Sequence, residues 1–214
     1  TMLLDVVEPG ELSSEIVRYQ VGLALHEHGD TQKALETLGV TGAGGSTELE
    51  CIALGVHILL AIHRIDLAEK EYLLAQQQND DSILVQYMEA WICLVRGGRA
   101  TQQAYYVYDE MSQNSMIAQT PNMAPSLVGK AVAQAAQDHL SNASGTLHEA
   151  LALDPANTLA LANQAVAKSL DSETGVPEAD AAVNLYATTE PTSALASLWD
   201  SKRRELAEAI AALA

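Results

Sequence analysis

The sequence predicts an all-α protein: a right-handed α-solenoid of helix-turn-helix repeats with a C-terminal capping helix. Three observations lead to this prediction. Aromatic residues make up only 4% of the 214 residues, and Phe is absent from the sequence. Ala and Leu are the commonest of the hydrophobic residues, which make up 48% of the chain, and such residues favour helices over sheets. Small residues also recur at a nearly constant spacing, as in proteins built from stacked repeats.

The repeat contains two small or apolar residues that lie twelve positions apart, one in each of two successive helices. The second residues of these pairs are 34, 36 and 39 positions apart along the chain. The tetratricopeptide repeat (TPR) is a helix-turn-helix unit of 34 residues, so the spacing indicates TPR-like repeats. The pairs are Gly22 with Ala34, Val56 with Ala68, Ile92 with Ala104, and Ala131 with Ala143.

In chain order, we expect five repeats and a final helix within one domain that spans residues 1–214. The first repeat turns at Gly29 and the third at Gly97-Gly98, because glycine leaves the helical conformation easily. The clearest TPR-like motif lies in the fourth repeat, at Ala143, Leu147, Ala150 and Pro155. The predicted repeats cover residues 11–41, 47–79, 82–113, 123–155 and 157–190, and the C-terminal helix covers 192–214.

The predicted C-terminal helix is amphipathic and would cap the last repeat. A solenoid needs a terminal element with one polar face, because its final repeat has no neighbour to cover its apolar side. Charged residues between positions 200 and 208 would form that polar face. The apolar face would comprise Leu195, Leu198, Trp199, Leu206 and Ile210.

The charge of the chain argues against binding to nucleic acid. There are 28 Asp and Glu residues against 11 Lys and Arg, which gives a formal net charge of −17. A nucleic-acid-binding face must be basic to displace counterions, so we expect no nucleic-acid partner.

The longest apolar run, Cys51 to Ile62, has 12 residues, whereas a membrane-spanning helix needs about 20. We therefore expect no direct insertion into a membrane.

No catalytic, cofactor-binding or metal-binding residue is predicted. His26 and His28 are two positions apart and point to different faces of a helix, which makes them a poor chelate. The Gly-rich segment at residues 40–47 lacks the lysine of a phosphate-binding loop and follows a helix. The sequence has no GxSxG elbow and no CxxC pair. We expect Cys51 and Cys93 to be buried free thiols, which suits a reducing cytosol.

Two stretches resemble one known family. They are ELECIALGVHILLAIHRIDLAEKEY at residues 48–72 and AWICLVRGGRATQQAYYVYDEM at residues 90–111. Both are similar to the epsilon subunit of coatomer (COPI), the cytosolic coat of Golgi-derived vesicles, and the likeness continues through residues 145–155. N-terminal repeats usual in that family are missing and the chain does not begin with Met, so we expect an N-terminally truncated fragment. The insert at residues 113–125 has no assigned counterpart.

The resemblance implies a structural subunit with neither enzyme activity nor cofactor. Such a subunit holds the C-terminal domain of the alpha coatomer subunit and contacts the remaining coatomer indirectly. The resemblance further implies a cytoplasmic protein, peripheral on Golgi membranes and COPI-coated vesicles, that acts in Golgi-to-ER retrograde and intra-Golgi transport. The alternative is another TPR-type cytosolic scaffold or adaptor protein.

The predicted partner-binding surface is the concave groove of the solenoid, which the first helix of each repeat lines. Its lining is largely apolar and has only one basic residue, so it suits an apolar segment of another protein better than an acidic C terminus. Alternatively, the superhelix is tight and these side chains contact one another. The predicted groove residues are Tyr19, Leu23, Ala53, His57, Leu60, Glu89, Cys93, Arg96, Val128, Val132, Ala135, Ala162 and Val166.

Overall fold

The computed structural model describes residues 14–40, 48–113, 123–171 and 175–213. Over these ranges the chain forms eleven α-helices and no β-strand, which confirms the all-α prediction. The Gly-rich segment after Val40 and most of the 113–125 insert lie outside the described residues. The helices are α1 (Glu15–Glu27), α2 (Thr31–Leu38), α3 (Leu49–Ala61), α4 (Ile65–Gln78), α5 (Ile83–Arg96), α6 (Ala100–Ser112), α7 (Ala124–Ala135), α8 (Leu140–Leu153), α9 (Thr158–Leu170), α10 (Val176–Thr189) and α11 (Ala194–Leu213).

Helices α1 to α10 form five consecutive pairs, and each range predicted for a repeat contains one pair. Among the described residues, packing within a pair is seen in four of the five: α1 packs on α2, α3 on α4, α7 on α8, and α9 on α10. The first helices of neighbouring pairs also touch, since α3 packs on both α1 and α5, and α7 packs on α9. This pattern is the one expected of TPR-like repeats. The hand of the solenoid and the single-domain organisation stay predictions.

The chain divides into two compact units, Thr1–Val107 and Tyr108–Ala214. In the first unit the core lies along α1 to α5, and α3 is its centre. Nine of the thirteen residues of α3 are buried, because its sequence is apolar on nearly every side. Leu25, Leu38, Val85 and Met88 from neighbouring helices complete this core.

In the second unit the core is built largely from small residues. Alanines of α7, α8 and α9 pack around Leu127, Val128 and Leu147, so the helices approach closely. A buried polar contact accompanies this packing, since the hydroxyl of Thr146 donates a hydrogen bond to Gln134 Oε1 at 2.9 Å. Burying a polar group without such a partner would cost roughly 1–3 kcal/mol.

The predicted crossing positions are confirmed by their burial. Ala34, Ala68, Ala104 and Ala143 all have 0% exposure. Gly22 is also buried, and a β-carbon added there would lie 2.7 Å from Leu38 Cδ2. The twelve-residue spacing in the sequence therefore marks positions that are buried between helices.

Three of the described turns inside pairs use one left-handed residue at the same position. Gly29, His63 and Asp138 have φ of 83°, 59° and 65°. After each of them, the next amide donates to a carbonyl five positions earlier, at 2.9, 2.8 and 2.9 Å respectively. The predicted glycine turn of the third pair also has positive φ, at Gly97 and Gly98. A glycine suits this conformation, whereas His and Asp adopt it at an energetic cost.

Helix α11 covers the end of the second unit with its first half. Trp199 packs edge to face on Tyr186 of α10, with ring centroids 5.9 Å apart, and Ala196 is buried in the same cluster. Arg203 donates hydrogen bonds to Asp180 and Asn184 of α10. Of the apolar face that the sequence predicts, Leu195 and Trp199 pack on this cluster, whereas Leu198, Leu206 and Ile210 are exposed. The contact with the last repeat is therefore made by the first half of the helix, and residues 202–212 are exposed.

Candidate partner-binding groove

Helices α1, α3 and α5 line a cavity of about 300 Å³ in the first unit, which we call the Trp91 groove. Three of the predicted partner-binding residues, Tyr19, Ala53 and His57, come together there. They do so because the first helices of successive pairs lie side by side. The complete lining is Tyr19, Glu50, Ala53, Leu54, His57, Leu84 and Trp91.

Aromatic rings form one wall of the Trp91 groove. The indole of Trp91 lies edge to face with His57, with ring centroids 5.9 Å apart. The same indole stacks with Tyr87, with ring centroids 6.2 Å apart. Large, rigid aromatic side chains of this kind dominate the energetics of protein interfaces. Sequence reasoning missed Trp91 and Leu84, although their seven-residue spacing places them on one face of a helix.

A second cavity, of about 240 Å³, adjoins the Trp91 groove and shares Tyr19 and Glu50 with it. Its other lining residues are Glu15 and Ile16 from the first turn of α1. We call these four residues the acidic mouth of the groove. Ile16 is 73% exposed, so the mouth presents an apolar side chain next to two carboxyl groups.

The pKa of Glu15 in the acidic mouth depends mainly on its neighbour Glu50. A hydrogen bond with Glu50 raises the pKa of Glu15, and partial desolvation and the Glu50 charge raise it further. Arg18 opposes this effect, but its guanidinium forms an ion pair with Glu48. Partial burial lowers the pKa of His57, and the nearby His26 lowers it further. The imidazole is therefore mostly neutral near pH 7.

The predicted residues of α5 lie on the other side of that helix. Arg96 forms an ion pair with Glu69 of α4, and Glu89 accepts a hydrogen bond from Gln103 of α6 at 3.3 Å. Burial, with a contribution from Glu89, raises the pKa of Tyr72 on α4 to about 12. Glu89 and Arg96 therefore have partners on α6 and α4 respectively, Cys93 is buried, and none of the three is in the lining of the Trp91 groove. Their part in partner binding stays a prediction.

Two further predicted residues of the first unit belong to its core or pack against it. Leu60 is 6% exposed and lies in the buried cluster, while Leu23 packs against the same cluster. A substitution at Leu60 would therefore change the stability of the unit as well as any surface. Variants that test binding are better placed at half-buried residues that line the groove.

The five predicted residues of the second unit do not all share one surface. Val132, Ala135 and Val166 line a small cavity of about 70 Å³ between helices of that unit. Val128 is buried in the core. Ala162 packs against the cluster that contains Tyr186. The groove function of these five residues stays a prediction.

A more polar cavity of about 400 Å³ lies at the turn between α7 and α8. It is lined by Asp138, His139, Leu140, Ser141, Asn142, Leu170 and Asp171. In the part of the chain that the structure describes, no group of three His, Cys, Asp or Glu residues could hold a metal ion. Burial raises the pKa of Cys51 and of Cys93, so both thiols stay protonated near pH 7.

None of the described helices combines the length and apolarity that crossing a membrane requires. Helix α3 is the most apolar, but it has only 13 residues, and a span needs about 20.

Comparison with known proteins identifies relatives along most of the chain. A family model described as "Coatomer epsilon subunit" matches residues 4–211. Coatomer subunit epsilon-2 of Oryza sativa subsp. indica is 34% identical over 154 residues, which are 72% of this chain and 48% of the relative. Coatomer subunit epsilon-1 of Arabidopsis thaliana is 32% identical over 161 residues, or 75% of this chain and 52% of the relative. The chain spans about half the length of the curated relatives it matches.

A solved structure supports the fold. The chain in "Functional Characterization of Pseudomonas Aeruginosa pilF" aligns with a TM-score of 0.61 over 82% of this chain and 76% of that chain, at 16% identity. At that identity the likeness establishes the TPR-like helical architecture alone. Family membership rests on the match to residues 4–211, which includes every helix that positions the groove. The chain therefore belongs to the coatomer epsilon subunit family.

Proposed function

We propose that this protein is a structural subunit of the coatomer vesicle coat and binds another protein in the Trp91 groove. Its partner is the C-terminal domain of the alpha coatomer subunit. The observation that carries this proposal is the aromatic and apolar lining across three neighbouring first helices, in a chain of the epsilon subunit family. Burial of Trp91 and Tyr19 against a partner would provide the water-excluded centre that stable interfaces have.

Family membership supports a place for this chain in the whole coat. The alpha subunit would link it to the remaining coatomer, so those contacts are indirect. The protein would then be cytoplasmic, peripheral on Golgi membranes and COPI-coated vesicles. It would act there in Golgi-to-ER retrograde and intra-Golgi transport.

The composition of the groove favours a structural role over a catalytic one. Its described lining, with the acidic mouth, contains two carboxyl groups, one imidazole and one phenol. It contains no Ser, Cys or Lys that could act as a nucleophile beside His57. Most of the remaining lining is apolar, as in a surface that binds through complementarity of shape.

Mixing the chain with the alpha-subunit domain tests the proposal. We expect a 1:1 complex on a sizing column and a raised melting temperature, because a ligand that binds only the folded state stabilises it. Trp91→Ala should weaken binding by at least about 2 kcal/mol, or roughly thirtyfold in Kd, as for an interface hot spot. Titration calorimetry measures the change.

Tyr106→Ala is the matched control for Trp91→Ala. Tyr106 is an exposed aromatic residue on α6, outside the lining of the groove, so its removal should leave Kd unchanged. Circular dichroism of both variants checks that the helices persist. Separate elution of the parent chain and the domain would refute the alpha-subunit assignment and favour another TPR-type scaffold role, whose partner a cytosolic pull-down would identify.

A further inference from the structure

We infer that the acidic mouth holds an arginine or lysine side chain of the bound protein, whose apolar neighbours pack on Ile16 and in the Trp91 groove. The inference rests on the proposed function, because it assumes that the groove binds a protein. It adds the chemistry of the bound segment, which is a cation set among apolar side chains. Glu15 and Glu50 are the residues assigned to the cation.

Two carboxyl groups lie close together in the acidic mouth. Glu15 lies in the first turn of α1 and Glu50 in the first turn of α3, and both side chains line the cavity of the acidic mouth. Two carboxylates this close repel each other, so one proton is retained between them more readily than in isolated groups. A cation placed beside them would relieve that repulsion and bind both oxygens.

The described lining of the acidic mouth and the Trp91 groove has no permanently cationic side chain beside these carboxyl groups. The nine described residues that line the two cavities include no Lys or Arg. The charge of Arg18 lowers the pKa of Glu15, but the Arg18 guanidinium forms an ion pair with Glu48. Because the described lining has no Lys or Arg, a cation beside Glu15 and Glu50 would come from the bound protein.

Apolar side chains accompany these carboxyl groups in both cavities. Ile16 lines the mouth and is largely exposed, and Leu84 and Trp91 line the groove together with Glu50. An arginine suits such a place, since its guanidinium binds carboxylates with two hydrogen bonds and its stem packs on apolar side chains.

Charge argues against two other occupants. A second copy of this chain carries the same net charge of −17, so the two copies repel each other over most of their surface. An anionic lipid surface would be repelled by the carboxyl groups of the mouth. A protein segment with a cation between apolar residues complements both features of the site.

The test titrates the alpha-subunit domain into Glu50→Gln and into the parent chain. We expect Kd to rise about tenfold in Glu50→Gln at about 50 mM salt, as for loss of one charge-assisted hydrogen bond. The difference should shrink at about 500 mM salt, where screening weakens the parent complex more than the variant complex. Glu149→Gln is the matched control, because Glu149 is an exposed carboxylate on α8, and it should bind as the parent does.

The titrations distinguish a wrong cation assignment from a wrong groove function. If the domain binds the parent and Glu50→Gln equally at both salt concentrations, the cation assignment is overturned and the groove function remains. If Trp91→Ala and Glu50→Gln both weaken binding, both proposals are supported. Circular dichroism and the melting temperature of Glu50→Gln exclude a folding defect as the cause.

If the domain does not bind the parent, a pair of synthetic peptides decides the inference. One peptide alternates Leu and Arg over roughly twelve residues, and the other has Glu in place of Arg. In Trp199→Phe, Trp91 is the single tryptophan and its fluorescence reports on the groove. Quenching by the Arg peptide alone, lost in Glu50→Gln, supports the inference, whereas equal responses to both peptides overturn it.

Sedimentation equilibrium tests whether a second copy of this chain occupies the acidic mouth. We expect the parent chain to be monomeric on its own. A dimer that dissociates in Glu50→Lys would mean that a second copy occupies the mouth, and the inference would be wrong.

Discussion

His63 and Asp138 occupy the turn position that Gly29 fills in the first helix pair, and all three have positive φ. A side chain in this conformation costs about 1–2 kcal/mol, whereas glycine adopts it without strain. Replacing the residue by glycine would remove this cost, but the greater freedom of glycine in the unfolded chain offsets about 0.4–1 kcal/mol of the stabilisation. We therefore expect His63→Gly to stabilise the protein by about 0.5–1 kcal/mol, measured by urea unfolding.

The reverse substitution, Gly29→His, controls for that prediction. It introduces a β-carbon at φ 83°, so the free energy of unfolding should fall by a similar amount. Asp138→Gly should be stabilised less than His63→Gly, since the short polar side chain of Asp can hydrogen-bond locally in the left-handed conformation. A His63→Gly variant that unfolds at lower urea than the parent would contradict the role assigned to this turn.

At the scale of helices, glycines mark close approaches that alanines alone do not provide. Gly129 of α7 faces the ring of Tyr108, and a β-carbon at Gly129 would overlap that ring. Ala is the better helix former by about 1 kcal/mol, but the overlap is expected to outweigh this gain because overpacking costs about 1–3 kcal/mol. Gly129→Ala should thus destabilise the protein by up to about 2 kcal/mol in urea unfolding.

Gly145→Ala tests the same substitution without the overlap. Gly145 lies on α8 with no other atom within 4 Å of an added β-carbon, so only helix propensity changes. This variant should be more stable than the parent by about 0.5–1 kcal/mol. Equal stabilisation by both Gly→Ala variants would refute the close packing assigned to Gly129.

The repeats could be predicted from the sequence because their crossing residues are small. Ala68 and Ala143 lie twelve positions after Val56 and Ala131, and this recurring spacing locates them without further knowledge. Gly55 could not be found in this way, because it lies in a continuous apolar run of α3. A β-carbon at Gly55 would nevertheless overlap Val40, so it is as tightly packed as Gly22.

The groove was predicted only in part, for a similar reason. On α1 and α3 the predicted residues Tyr19, Ala53 and His57 reach the cavity. Helix α5 is apolar on several faces, from Ile83 through Val95. Its sequence therefore does not distinguish the face with Trp91 from the face toward α4, and the two adjacent helices decide which face lines the groove.

At the scale of the whole molecule, the acidic charge opposes folding. The net charge of −17 is spread over 214 residues, and the ion pairs, such as Lys33 with Asp30, lie largely at the surface. Pairs of that kind contribute little to stability, so repulsion among the carboxylates dominates. We expect the melting temperature to rise by a few degrees between about 20 and about 300 mM NaCl, since salt screens that repulsion.

Two variants separate general screening from local ion pairs. Lys33→Gln removes one exposed cation and makes the net charge more negative, so its melting temperature should increase more steeply with salt. Asp80→Asn removes one exposed anion and should reduce the slope. A melting temperature that falls steadily as NaCl is added would show that ion pairs, and not repulsion, dominate.

The pairwise packing of helices also affects how the chain reaches its folded state. Within each unit the packed helices are neighbours along the chain or next but one, as α3 is to α1 and α5. The loops that folding must close are therefore short, and little chain entropy is lost before each contact forms. Chains of such low contact order fold quickly. A pair of helices that emerges during synthesis would find its partner in the segment just made, without waiting for the end of the chain.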